Sequence, residues 1–158
     1  MDAHHLQDLI ELEESYWWHV AKRRLAGELL QRYLPAPGLL VEGGVGSGRN
    51  LLEFQRLGYQ VVGLDIMPQA VARARQVGLP DTYTHDLMAP WPVPPRTVRA
   101  AVMLDVLEHL ADSVRALEHA AQALRDDGGL LLTVGFRGSV ARRRQRALQR
   151  ASQAASKT

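Results

Sequence analysis

The sequence predicts an α/β fold, a doubly wound, mostly parallel sheet of about five strands. Three observations carry this. Short apolar runs alternate with longer segments of helical period along most of the 158 residues. The apolar runs are continuous rather than alternating, as in strands buried on both faces. A glycine-rich loop stands between the first run and the helix after it, the position where open α/β sheets bind their ligands.

Residues 5–34 read as a helical region, because Leu6, Leu9, Ile10, Tyr16, Trp17, Val20, Leu25, Leu29 and Leu30 recur near i, i+3, i+4 spacing. Pro35, Pro37 and Gly38 end it. Leu39-Leu40-Val41 is the first strand, and Asn50 to Leu57 resumes helical period until Gly58 stops it. Gln60 to Leu64 is the second strand, closed by Asp65, and Pro68 suits the first turn of a helix through Gln76. Thr82 to His85 is a weak third strand. Pro90, Pro92, Pro94 and Pro95 exclude a regular helix or central strand over residues 89–99. Ala100 to Leu104 is the fourth strand. Val106 to Leu124 reads as one helix with Leu107, Leu110, Val114, Leu117, Ala121 and Leu124 on one side. Asp127-Gly128-Gly129 is a turn before a fifth strand, Leu130 to Val134, and Ala141 to Ala155 favours helix. Right-handed crossovers between parallel strands make the whole Rossmann-like. The expected organisation is a sheet domain at residues 1–136, with an N-terminal helical cap at about 5–34, and a basic tail at 137–158.

Composition narrows the class. Hydrophobic residues at 46% and charged residues at 23% describe a globular chain rather than a disordered one. No apolar run approaches the ~20 residues of a membrane helix. Met1 to Glu14 lacks the basic start and apolar core of a signal peptide. The absence of cysteine excludes disulfides, zinc–thiolate sites, iron–sulfur clusters and thiol catalysis, and fits a cytoplasmic chain. The net charge of +2 hides an asymmetry. From Arg137 onward there are six Arg, one Lys and no acid, whereas the remainder holds 12 basic and 17 acidic residues. The body is therefore mildly acidic, and nucleic acid is an expected partner only for the tail.

The informative segment is Glu42-Gly43-Gly44-Val45-Gly46-Ser47-Gly48. Glycines there let a ligand approach the backbone, and the helix start offers unpaired N–H groups. A tight turn with surplus glycine is the bland alternative, but that many glycines are costly to order. The spacing is Gly44-x-Gly46-x-Gly48, not the G-x-G-x-x-G of dinucleotide sites, and no Lys-Ser/Thr follows as in a P-loop. The acid before the loop, Glu42, repels a pyrophosphate and suits a ligand with an ammonium group.

This loop resembles the E/D-x-G-x-G-x-G loop of class I S-adenosylmethionine (SAM) dependent methyltransferases. The resemblance covers about residues 16–136. Gly63-Leu64-Asp65-Ile66 is similar to the family's second-strand end, and His85-Asp86-Leu87 with Trp91 to its adenine-edge segment. Leu104-Asp105-Val106-Leu107-Glu108-His109-Leu110 resembles its "D-V-L-E-H" segment. Asp126-Asp127-Gly128-Gly129 and the apolar residues after it resemble its fifth-strand turn. Five segments in the family's order are far more specific than the loop alone.

The resemblance implies SAM as cofactor and a set of roles. Gly43, Gly44, Gly46 and Gly48 shape the loop beside the methionine part, with Glu42 acting on its ammonium directly or through water. Asp65 accepts from the ribose hydroxyls, Ile66 packs on adenine, and Asp86 and the Leu87 N–H meet the adenine edge. Leu104 lines the site. A helix bearing Tyr16-Trp17-Trp18-His19 and Lys22-Arg23-Arg24 is similar to one that covers the cofactor, placing Trp18 and Arg23 near it. Taken singly, Asp65 also reads as a helix cap, Asp86 as a turn residue, and the aromatics as sheet packing. His109 is the candidate proton acceptor for a small-molecule acceptor of the methyl group, and a His there also reads as structural or exposed.

Two features depart from the family. Its sheet ends in an antiparallel pair of strands, and nothing after Val134 reads as such a pair, so the C-terminal β-hairpin is expected to be missing. The fifth strand is then an open edge unless the tail, a second copy or another partner covers it. A truncated enzyme and a non-catalytic binding module with a basic tail both fit this. An NAD(P)-dependent oxidoreductase shares the fold but lacks its glycine spacing.

Overall fold

The structure is a computed structural model and describes residues 17–135. The helical expectation for residues 5–16 and the whole basic tail lie outside the described residues. In order, the elements are helix α1 (Trp17–Tyr33), strand β1 (Leu39–Gly43), helix α2 (Arg49–Arg56), strand β2 (Gln60–Asp65), helix α3 (Pro68–Gln76), strand β3 (Thr82–Thr84), strand β4 (Val98–Leu104), a 3₁₀ turn (Leu107–His109), helix α4 (Ser113–Ala123) and strand β5 (Leu124–Thr133).

The five strands form one parallel sheet in the order β3-β2-β1-β4-β5. This is the doubly wound arrangement, with the switch point between β1 and β4. β1 lies at the centre, where Leu40 pairs with Val61 on one side and Ala100 on the other. Leu40 and Val41 are fully buried because their alternate side chains enter different cores. Leu40 joins Ala26, Leu30, Leu51 and Phe54 under α1 and α2. Val41 joins Ala116, Ala120 and Met103 under α4. Helices on both faces leave the carboxyl ends of the strands as the exposed rim. No helix among the described residues is long and apolar enough to cross a membrane.

Two expectations are corrected. Val106 to Leu124 is not one helix. A 3₁₀ turn ends at His109, Leu110 is extended, and the Asp112 carboxylate accepts from the Arg115 N–H at 3.0 Å to start α4 afresh. The restart resets the helical phase. Ala116, Ala120 and Ala123 form the buried stripe, and Val114, expected in it, is exposed. The second correction concerns β5. It begins at Leu124, not Leu130, but its register jumps from Val98↔Leu124 to Ala100↔Gly129. Arg125 to Gly128 therefore bulge out of the ladder at the place expected to turn. Arg125 hydrogen bonds Asp127 there and, with Arg99, holds its carboxyl below the usual range.

Gly63 on β2 shows how tightly the loop after β1 seats on the sheet. A Cβ there would lie 2.7 Å from Val45, 2.9 Å from Leu51 and 2.9 Å from Thr82. Gly63→Ala should therefore overpack the core and destabilise the fold by about 1–3 kcal/mol, measured by urea denaturation.

Candidate functional site

The loop after β1 is held from beneath by the end of β2. The Gly44 N–H donates to the Leu64 carbonyl at 2.7 Å, and the Gly46 N–H donates to Asp65 Oδ2 at 3.0 Å. Gly44 and Gly48 take φ of 80° and 82°, left-handed values that favour glycine. Gly44 is also pressed by Val106, whose Cγ2 would stand 2.4 Å from an added Cβ.

Above the loop a cleft runs along the rim in two connected parts. One, of about 370 Å³, is walled by His19, Lys22 and Arg23 of α1, by Gly44, Val45, Gly46 and Asn50, and by Leu104, Asp105 and Val106 after β4. The other, of about 360 Å³, is walled by His85, Asp86, Leu87 and Met88 after β3 and by Leu110. Gly44, Asp65, Ile66, Val106 and His109 line both. A wider depression of about 520 Å³ between α1 and α2 contains Arg23 but no loop glycine and none of Asp65, Asp86 and Asp105. Each part of the cleft has the scale of a small-molecule site.

The chemistry of the shared wall is specific. Asp65 is nearly buried, its Oδ1 accepting from the Met67 N–H at 2.8 Å and its Oδ2 from Gly46. Each oxygen retains a second lone pair for a ligand hydroxyl. Ile66 beside it is 65% exposed, an apolar side chain left out of the core at the cleft wall. Asp86 accepts from the Met88 N–H at 2.9 Å. Leu87 is buried against Gly43, where a Cβ would lie 2.9 Å from its methyl groups.

Several predicted residues stand behind the wall. Glu42 is buried below the loop, and its Oε1 accepts from Asn50 Nδ2 at 3.2 Å. Asn50 Oδ1 in turn accepts from Arg23 Nε at 3.1 Å. The acid thus reaches the cleft through Asn50. Gly43 and Gly48 shape the backbone without lining the cleft. Trp91, placed at the adenine edge by the sequence pattern, is a core residue packed with Val98 and Ala101. Trp18 is half exposed, edge-on to Trp17 at 5.8 Å, and lies outside the lining, one position off the face that presents His19, Lys22 and Arg23. His109 is exposed at the junction of both parts.

Sequence reasoning missed Asn50 as a site residue, and quoted His19 and Lys22 only within the helix taken to cover the cofactor. The signal for Asn50 was its place in the first turn of the helix after the glycines. His19 and Lys22 share a helical face with Arg23. Asp105 was quoted only as part of a segment. Lys22 forms an ion pair with it, and the Thr133 hydroxyl donates to its Oδ1 at 2.8 Å. Burial works to raise the Asp105 carboxyl, but the hydrogen bonds from Lys22 and Thr133 and the charges of Lys22 and His19 outweigh it and hold it below the usual range.

Residues 17–156 match the family model described as a methyltransferase domain. The chain belongs to this family. With the Rossmann-like sheet, this is the domain of the class I methyltransferases, a family whose cofactor is SAM. The match continues past residue 136, the boundary expected for the domain. Solved structures agree in fold. A Methanococcus maripaludis protein assigned as a SAM-dependent methyltransferase superposes with a TM-score of 0.75 at 14% identity, over 85% of this chain and 64% of its own. The [4+2]-cyclase SpnF gives 0.65 at 26% identity, over 77% of this chain and 50% of its own. A protein solved in complex with the Haloferax volcanii Trm112 methyltransferase activator gives 0.66 at 25%, over 78% and 54%. This methyltransferase domain therefore spans between half and two thirds of these relatives' lengths. No curated protein matches it.

Two outcomes follow from this geometry. Gly44→Ala should destabilise the domain by about 1–3 kcal/mol, and Val106→Ala in the same chain should recover part of that loss in a denaturation double-mutant cycle. Asp105, with its folded pKa depressed, stabilises the fold above its unfolded pKa, and the contribution is lost as pH falls through the folded value. Thermal unfolding from about pH 6 to about pH 3 should therefore show Asp105→Asn losing less stability on acidification than the parent.

Proposed function

We propose that this chain binds SAM in the rim cleft and transfers its methyl group to a small-molecule acceptor. The observation that carries the reading is the shared wall, where an ordered carboxylate, Asp65, stands beside an exposed apolar side chain, Ile66, and the bare backbone of Gly44. A vicinal diol, a flat heterocycle and a close-approaching chain would match those three surfaces in turn. Asp86 and the Leu87 N–H take the heterocycle's edge. Asn50, backed by Glu42, accepts from an ammonium group, and Arg23 beside it suits a carboxylate.

When bound, SAM supplies a methyl group on a sulfonium that leaves without acid assistance. The residues of this chain therefore have mainly to orient two ligands and exclude water. His109 faces both parts of the cleft and is positioned to take the proton of an oxygen or nitrogen acceptor. Leu104 and Val106 keep the wall between them apolar. Residues 1–136 form the binding domain and residues 137–158 a basic tail in this reading, within a cytoplasmic chain. The outer edge of β5, which pairs with no strand among the described residues, fits cover by a second copy or a partner protein. Nucleic acid has no recognition element in the body.

A second reading, donor binding without methyl transfer, is favoured by the likeness to a cyclase at 26% identity. Isothermal titration with S-adenosylhomocysteine and a methyl-release assay separate the two. Absence of heat with folded protein at high micromolar ligand defeats both. Asp65→Asn keeps an acceptor for the Met67 N–H and should weaken S-adenosylhomocysteine by about 1.5–3 kcal/mol, as for a charge-assisted hydrogen bond.

A further inference from the structure

α1 is held to the sheet in two different ways along its length. Its C-terminal half is anchored by burial. Ala26 and Leu30 are in the core, and the Tyr59 hydroxyl donates to the Leu34 carbonyl at 2.6 Å just beyond the helix. Its first turns are less buried and are tied by side-chain contacts, one of them Arg23 Nε to Asn50 Oδ1 at 3.1 Å. Trp17 is 69% and Trp18 52% exposed, yet this is the part that carries His19, Lys22 and Arg23 over the cleft.

A further contact to those turns comes from Asp105, in an unusual backbone state. Its φ is 57°, a left-handed conformation that Asp tolerates better than most side chains but that still needs external support. β5 supplies it. The Asp105 N–H donates to the Thr133 carbonyl at 2.9 Å and to its hydroxyl at 3.1 Å, and the same hydroxyl donates to Asp105 Oδ1. Oδ2 is left directed at α1, where Lys22 pairs with it. An exposed ion pair is worth little. Here the Lys22 side chain keeps only 12% of its exposure, and lysine is rarely so buried unless paired. Removing one partner of such a pair strands the other. The next residue, Val106, is the one pressed on Gly44, so the conformation of Asp105 also sets that wall.

We infer that the Lys22–Asp105 pair, braced by Thr133, pins the first turns of α1 over the cleft, making Asp105 and Lys22 positioning residues for the ligands. The inference rests on the cleft being the donor site, but the pin itself is a property of the free chain. The test uses the full chain, as parent, Asp105→Asn, Lys22→Met and the double variant. Asn tolerates the left-handed backbone and can still accept from Thr133, and Lys22→Met leaves β4 and β5 untouched.

Hydrogen exchange without ligand should show amides of residues 17–24 exchanging about tenfold faster in either single variant, while β1 and β2 keep their protection. Titration with S-adenosylhomocysteine should show about tenfold weaker binding in each. The double variant should be no worse than the worse single one, because both remove the same pair. Unchanged exchange in residues 17–24, loss spread over the whole sheet in Lys22→Met, or additive losses in the double variant would overturn the pin. A parent chain that takes no S-adenosylhomocysteine would overturn the donor reading instead, and the exchange experiment would then decide the pin alone.

Discussion

The site depends on one arrangement, the seating of the loop after β1 on the end of β2. Three contacts make it: the Gly44 N–H on the Leu64 carbonyl, the Gly46 N–H on Asp65, and Val45 lodged where Gly63 has no side chain. The same Asp65 carboxylate accepts from Met67 at the start of α3. A single acid thus fixes the loop on one side and the next helix on the other. Its orientation is set before any ligand arrives, which lowers the ordering cost of binding.

The second constraint is the price of a buried acid. Glu42 sits inside the fold beneath the glycines, where an ionised carboxylate is tolerated only with hydrogen-bonding partners. Asn50 supplies one such hydrogen bond, to Oε1, and passes the connection to Arg23 on α1. The polar chain runs from the central strand through the loop helix to the cap helix. The acid before the loop therefore shapes the cleft at a distance of one side chain.

These features form the cleft within the part of the chain that superposes on 50–64% of the three solved structures. The rim residues belong to the ends of the strands β1, β2 and β4, to the segments after them and after β3, and to the first turns of α1, and the sheet beneath is supported by cores on both faces. β5 contributes through Thr133, whose hydroxyl and carbonyl stabilise the turn at Asp105. The outer edge of β5 pairs with no strand among the described residues, but the cleft lies on its inner side.

The sequence by itself determined the doubly wound parallel sheet of about five strands and the candidate ligand. Those follow from local features: continuous apolar runs, glycines at φ-demanding positions, a proline at the start of α3, and five short segments in a family's order. Through that resemblance it also placed Asp65, Ile66, Asp86, Gly44 and Gly46 at the rim, where the structure puts them. The tertiary structure decided what distance along the chain conceals. Lys22 and Asp105 stand 83 residues apart, and nothing local to either announces the other. Glu42 was expected to act on the ligand directly or through water, yet packing buries it behind Asn50, which borders the cleft. Trp91 and Trp18 read alike as aromatics of the site, but one is enclosed by the core and the other lies off the helical face that borders the cleft. The restart at Asp112 likewise overrode a hydrophobic period that ran unbroken in the sequence, because a capping carboxylate reset the helix phase and left alanines, small enough for close approach, facing the sheet.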